Sequence, residues 1–314
     1  MTVLLSTLSQ MGFLFSLIAI GYFLAKRKLV PYSTAGSLSK LENLLFIPAL
    51  ALGTFAEHFT VERLSTAWII LLAGFIVVGL GIPLSIWVSR RCAKDTYTQR
   101  IFTYGLSFSN FGFMGNSVVQ ALFPDVFLEY LLFTLPFWIL IYLWGVPALL
   151  IGSEEKPRSL KERLKPLANP MIGGMLIGMV IGLSGLKMPG WMDSVVDTCS
   201  SCMSPIAMLL SGMTVANIDL KKTFVRKDLY AISLVRLLVF PVLGLIFFAL
   251  VPMPQEIVIC SMVALSMPLG LNTIVVPSAY GRDTTAAAGM ALISHILSVA
   301  TIPAVFMVLS LILQ

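Results

Sequence analysis

Ser107-Phe-Ser-Asn-Phe-Gly-Phe-Met-Gly-Asn-Ser117 interrupts one apolar segment long enough to cross a bilayer, and Ser266-Met-Pro-Leu-Gly-Leu-Asn-Thr273 interrupts another. Each stretch puts Gly, Asn, Ser or Pro where an ordinary spanning helix carries Leu. In hydrocarbon every backbone N–H and C=O needs an internal partner, so such residues at mid-depth are costly unless the freed groups face a cavity. Paired interruptions in matching halves of a chain point to a transporter's binding site. The reading therefore turns on whether the two halves match.

Outward from these stretches the chain is 58% hydrophobic and 11% charged. A soluble domain is nearer half apolar and a quarter charged, so the composition is that of a polytopic membrane protein. A net charge of +6 would suggest nucleic acid in a soluble chain. Here the cations fall in short loops, where membrane topology accounts for them and no nucleic-acid partner is expected. The four cysteines are scattered and make no disulfide framework. Cys199 and Cys202 lie within an apolar segment with no second pair, which reads as helix packing and not as a metal site. No basic residue precedes the first apolar run, so a cleaved signal is not expected.

A spanning helix needs roughly 20 mostly apolar residues, and ten such segments are expected. They run from Leu5 to Ala25, Ser37 to Phe55, Ser65 to Ser89, Arg100 to Phe123 and Val126 to Ile151. After a polar stretch from Gly152 to Pro166 they resume from Asn169 to Leu186, Met192 to Ala216, Leu229 to Val251, Gln255 to Tyr280 and Thr285 to Leu313. Lys and Arg concentrate in alternate loops: Lys26 to Lys40, Arg90 to Arg100, Lys156 to Lys165, Lys221 to Lys227, and Arg282. The opposite loops hold only Arg63 and Lys187. The positive-inside rule makes the first set cytoplasmic and puts both termini on the other side.

Landmarks recur at an offset of about 158 residues: Pro31 with Pro189, Pro83 with Pro241, Asn110-Phe-Gly112 with Pro268-Leu-Gly270, and Asp125 with Asp283. Pro48 pairs with Pro205 at an offset one shorter. Five spans per half is an odd number, so the second half must be inserted upside down. The expected fold is an all-α membrane protein, a 5+5 inverted-topology repeat with broken, crossing fourth and ninth helices. Residues 1–151 form the first repeat, 152–166 a cytoplasmic linker and 167–314 the second repeat.

Inverted symmetry brings the two breaks together near the midplane. Half-helix ends offer free N–H groups and a partial positive charge, which suits an anion. Gly112, Gly115 and Gly270 permit close backbone approach, and Pro268 removes an N–H. Asn110, Asn116, Ser117, Asn272 and Thr273 supply neutral donors and acceptors, with Gln120 as an accessory. Arg236 sits inside the eighth span, where an ionisable group is a functional candidate. It is also about two turns from Lys227 and is expected to reach the interface by snorkelling. Glu42 and Asn43 start the second span near its end, and Glu42 is placed to pair with Lys40 or Arg236. His295 reads as a hydrogen-bonded packing histidine ahead of a proton carrier. Asp193 and Asp197 lie one turn apart near a helix start, where the dipole favours acids as readily as a cation would. No HExxH, P-loop, paired-Asp or GxSxG signature is present, and no enzyme activity, metal or resident cofactor is expected.

Asn110-Phe-Gly-Phe-Met-Gly115, Met267-Pro268 with Ala279-Tyr-Gly-Arg-Asp283, Pro48-Ala-Leu and Asn169-Pro170 together resemble the auxin efflux carrier family, in its short bacterial form. The resemblance runs the length of the chain. It implies the fold of bile-acid-type symporters, with one helix group as scaffold and dimer surface and the other as a moving transport unit. It also implies an organic-anion substrate contacted by Asn110 and Asn116, with Pro268 marking the second break. Phe111 stands where the plant carriers have a proline, and the third span lacks their acidic residue. The coupling ion is thus left between Na+ and H+.

The expected function is a secondary carrier of small organic anions working by alternating access. Its substrates would be mono- or dicarboxylates such as malate or malonate, or auxin-like weak acids. The setting is the lipid bilayer of a bacterial inner membrane, and the resemblance suggests a homodimer. A passive organic-anion channel and a transport-inactive sensor are the alternatives. A channel would need a continuous polar stripe, whereas the polar residues here cluster at mid-depth.

Overall fold

The computed structural model describes residues 2–31, 33–151, 168–216, 223–279 and 282–313. Among these the chain is all helix, with no strand. The helices are α1 Thr2–Lys26, α2 Ser33–His58, α3 Val61–Cys92, α4 Thr96–Ser107, α5 Asn116–Leu122 and α6 Pro124–Ile151. They continue with α7 Pro170–Ser184, α8 Gly190–Val215, α9 Lys227–Leu250, α10 Gln255–Ser266, α11 Asn272–Ala279 and α12 Thr285–Ile312. The expected linker 152–166 with all of its cations, Lys221, Lys222 and Tyr280 lie outside the described residues.

Seven of these helices, α1, α2, α3, α6, α8, α9 and α12, are long and apolar enough to cross a membrane. The other three expected segments take different forms. The sixth is the 15-residue helix α7. The fourth and ninth are divided, into α4 and α5 and into α10 and α11. Three of the long helices contain wider π turns, at Glu42–Phe46 in α2, Ile141–Ile151 in α6 and Val235–Val239 in α9. Such turns mark functional sites more often than chance.

Polar residues set the helix starts. Thr60 caps α3 by accepting from Arg63 N, and Asn169 caps α7 by accepting from Ile172 N at 3.1 Å, with Pro170 in the first turn. Gly185, at φ 68°, closes α7 in the left-handed conformation that glycine adopts without strain. Asp95 caps α4, accepting from Thr98 N at 2.8 Å. Bonds from Thr98 hold its carboxyl below the usual carboxylate value. A lowered value means the cap contributes fully at neutral pH and fades as pH falls through it. Asp95→Ala is expected to cost about 1 kcal/mol at neutral pH. The difference in thermal unfolding between variant and parent should begin to shrink as pH falls to about 4, the ordinary Asp value, and close only below the lowered value of the folded protein.

The helices pack as two groups. In one, α2 lies along α7, α1 lies along α8, and α8 also packs on α2. These seams are backbone on backbone. Gly174, Gly178 and Gly182 of α7 set their Cα atoms against the carbonyls of Pro48, Leu52 and Phe55. Gly21 of α1 meets Leu209 of α8, and Gly212 of α8 meets Ile18 of α1. Small residues at four-residue spacing allow this close approach in membrane helices. In the other group α3 packs on α4 and α6, and α9 packs on α10 and α12. Contacts of α1 with α12, and of α8 with the turn between α4 and α5, join the two groups.

The second helix starts earlier than the expected Ser37. Glu42 therefore sits nine residues inside α2, fully buried, not near its start. Neither carboxylate oxygen has a hydrogen-bond partner, so the expected pairing with Lys40 or Arg236 is not made. Asn43 is exposed and donates to Ser39 O at 2.7 Å.

Candidate functional site

The breaks in the fourth and ninth segments meet. Asn110 N donates to Pro268 O at 2.8 Å, and Ser109 and Leu269 form an isolated antiparallel bridge. Ser109 Oγ donates to Ala264 O at 2.9 Å, and Leu269 N donates to Ser294 Oγ of α12 at 3.2 Å. The non-helical backbone is satisfied across the crossing, as a hydrocarbon setting demands. After Asn110 the chain recovers through a wide turn, Phe111–Gly115, in which Asn110 O accepts from both Met114 N and Gly115 N.

The glycines are there for clearance. A Cβ on Gly270 would lie 2.6 Å from Phe108 O and 3.2 Å from Ser109 O. One on Gly112 would meet the Trp138 ring at 2.7 Å, and one on Gly115 would meet the Tyr130 hydroxyl. That hydroxyl donates to Phe111 O at 3.0 Å, holding a carbonyl of the wide turn.

Around the crossing lies a cavity of about 20 Å³, lined by Tyr104, Phe108, Asn110, Trp138, Gly270 and Asn272 among others. This is room for about one water. Asn272 Nδ2 donates to the Tyr104 hydroxyl at 3.3 Å. Asn110 Nδ2 lies 3.1 Å from His295 Nε2, and His295 Nδ1 lies 2.7 Å from Ala291 O. Asn116 lines a second cavity of about 20 Å³ with Leu50, Thr134, Trp138 and Met175, and its Oδ1 is buried without a partner. Trp138 lines both cavities, with its edge toward Phe111 at 5.1 Å.

The predicted residues thus divide. Asn110, Gly112, Gly270 and Asn272 surround one cavity, with Pro268 bonded to Asn110, while Asn116 lines the other. Ser117 and Thr273 are buried, and their hydroxyls donate to Phe113 O at 2.8 Å and Gly270 O at 2.7 Å. Gln120 is exposed and lines a wider opening of about 330 Å³ with Leu50, Glu57, His58 and Asp197. Asn43 and Glu42 line neither cavity.

Arg236 does not snorkel. It is 2% exposed, and its guanidinium donates to Met267 O at 3.1 Å, Leu106 O at 2.9 Å and Ala264 O. Those carbonyls belong to the last turns of α4 and α10 and the residue after α10, the ends that the breaks leave without partners. A cation suits them both by hydrogen bonding and by the dipole. The guanidinium also lies 4.9 Å from the Phe240 ring centroid.

Sequence reading missed Tyr104, Tyr130 and Trp138. Tyr104 carried a weak signal, a hydroxyl in the apolar half of a broken segment. Tyr130 and Trp138 carried none, since aromatic residues are common in every apolar segment here.

Buried broken helices, crossing through a backbone bond inside a bundle of membrane-length helices, define a polytopic membrane protein with a polar centre. No curated protein matches the chain. The membrane transport protein family model matches residues 6–306. The chain belongs to that family, the auxin efflux carrier family, whose members are transporters and not enzymes. It is an integral, multi-pass membrane protein.

Proposed function

We propose that this protein is a secondary active transporter of small organic anions, mono- or dicarboxylates or auxin-like weak acids. Its binding site is the crossing of the two broken segments. The observation that carries this reading is the convergence of Asn110, Asn272 and Tyr104 on one cavity between two interrupted helices. Neutral donors suit a carboxylate that must be released again, because they bind without an ion pair's depth. Asn116, with its unpartnered oxygen, and Gly112, Gly115, Ser117, Pro268, Gly270 and Thr273 complete and shape the site. Gln120, which lines the wider opening, is an accessory to the site.

On this reading α7 and the two divided segments also reach across the bilayer. They give ten spans in two inverted repeats, 1–151 and 167–314, joined by a cytoplasmic linker. The group containing α1, α2, α7 and α8 is the scaffold, and the other group moves. Positive loops put both termini on the non-cytoplasmic face of a bacterial inner membrane. A homodimer through the scaffold fits the family. The small cavity supports an occluded state, since malate needs more room than one water, and favours a carrier over an open channel.

Reconstituted protein should exchange labelled malate, malonate or indole-acetate across the liposome membrane with saturation. Asn110→Ala removes a hydrogen bond to a charged ligand, worth about 1.5–3 kcal/mol, and should weaken half-saturation roughly 10- to 100-fold. Unchanged exchange by a folded Asn110→Ala protein would remove this cavity as the site.

A further inference from the structure

We infer that His295 is a proton site joined to the anion site through Asn110, so that a proton on its Nε2 and an anion at the crossing stabilise each other. The inference rests on the organic-anion reading above and names H+ as the coupling ion.

The directions of two hydrogen bonds carry it. A carbonyl only accepts, so His295 Nδ1, 2.7 Å from Ala291 O, carries the hydrogen. A neutral imidazole protonated there has a lone pair on Nε2. Asn110 Nδ2, at 3.1 Å, therefore donates to it. The histidine, 6% exposed, fixes which way the Asn110 amide faces. One of its two N–H bonds is spent inside the protein and is withheld from the cavity.

A proton from water added to Nε2 turns that acceptor into a donor. Donor then faces donor, and the amide must rotate to offer Oδ1 to the imidazolium. Rotation swings the whole Nδ2 group toward the cavity, where it meets a carboxylate. No bond to carbon forms or breaks; the proton arrives from one aqueous face and leaves to the other.

The surroundings make an anion necessary for this. Among the described residues His295 is the only titratable group on α12. Of the helices packed on α12, α1 carries Tyr22 and Lys26 in its last two turns, and α4 carries Tyr97, Arg100 and Tyr104. On α8 are Asp193, Asp197, Cys199 and Cys202, all in its first half. On α9 are Lys227, Asp228, Tyr230 and Arg236, on α10 Glu256 and Cys260, and the described part of α11 has none. None of these is within hydrogen-bond distance of the imidazole; among the described residues Asn110 and Ala291 are. Arg236 holds a permanent positive charge on the same crossing. A positive charge on this buried imidazole, with no acid among the described residues within hydrogen-bond distance of it, is disfavoured until a carboxylate enters. Coupling of this kind is reciprocal: the proton must raise anion affinity as much as the anion favours the proton.

The test uses the full chain in lipid nanodiscs and in proteoliposomes, with malate, malonate and indole-acetate as probes. Nitrogen-15 spectra of the wild type, with His295 assigned by the signal missing from His295→Gln, should show the Nδ1–H tautomer without anion. Binding should take up about one proton per anion, read with a pH-indicator dye, and affinity should rise up to about tenfold per unit fall in pH. His295→Gln should bind the anion more weakly, with an affinity that no longer changes with pH, no proton uptake and no accumulation driven by a proton gradient. Anion exchange without proton uptake, uptake persisting in His295→Gln, or an Nε2–H tautomer would overturn the inference and leave the anion reading standing. Folded wild-type protein that neither binds nor exchanges any probe would overturn both.

Discussion

Arg236→Met should be the most damaging single change in the protein, costing about 3–5 kcal/mol, the range for removing one partner of a buried charged network. The guanidinium is the shared partner of Leu106, Ala264 and Met267 carbonyls, each at the interrupted end of a helix. Methionine fills much of the same volume but donates nothing. The three carbonyls then face a protein interior without water, and a buried acceptor left unsatisfied costs about 1–3 kcal/mol. Removing the buried charge recovers part of this, which keeps the total below the simple sum. Lysine has no fork of donors and should rescue only partly. Unfolding in detergent followed by tryptophan fluorescence reads the order directly: wild type, then lysine, then methionine. Equal unfolding temperatures for wild type and Arg236→Met would show that the carbonyl ends do not depend on it.

Gly270→Ala should abolish transport with a smaller loss of stability, about 1–3 kcal/mol by the cost of overpacking. The added carbon would press on Phe108 O and Ser109 O, backbone atoms of the opposite break, which no rotamer change can move. The crossing must open, and the bond from Asn110 N to Pro268 O lengthens with it. Gly173→Ala is the matched control, because nothing lies within 4 Å of a Cβ there. Exchange by Gly270→Ala at the wild-type rate would mean that the breaks need not touch for function.

The breaks were legible because Gly, Asn and Pro in hydrocarbon have few uses, and two such stretches at a fixed offset have fewer. Helix positions were legible for the same reason that hydropathy works at all. Arg236 was misread because spacing along the chain gives its depth and not its face. Two turns from Lys227, one face leads to the interface and the other to the crossing. Glu42 was misplaced because the polar run before it, Ser33 to Lys40, resembles a loop, yet it continues into helix. The bond between His295 and Asn110 joins residues 185 apart, and neither residue type announces the other. The Gly174, Gly178, Gly182 series was in plain view as a four-residue repeat, and its partner helix was not.

That series has a mechanical consequence. Where α7 lies on α2, glycine backbone rests directly on peptide carbonyls. An axial displacement of a few ångströms would force each Cα over the next carbonyl, with no side chain able to swing clear. The α1 and α8 seam is locked in the same way. Across from them, α2 and α6 share a cavity of about 20 Å³ lined by Leu50, Leu131, Leu135 and Trp138. Those side chains can change rotamer and exchange neighbours at little cost. The bundle therefore has a stiff keel and a compliant flank, and any large relative motion between its two groups will run along the flank.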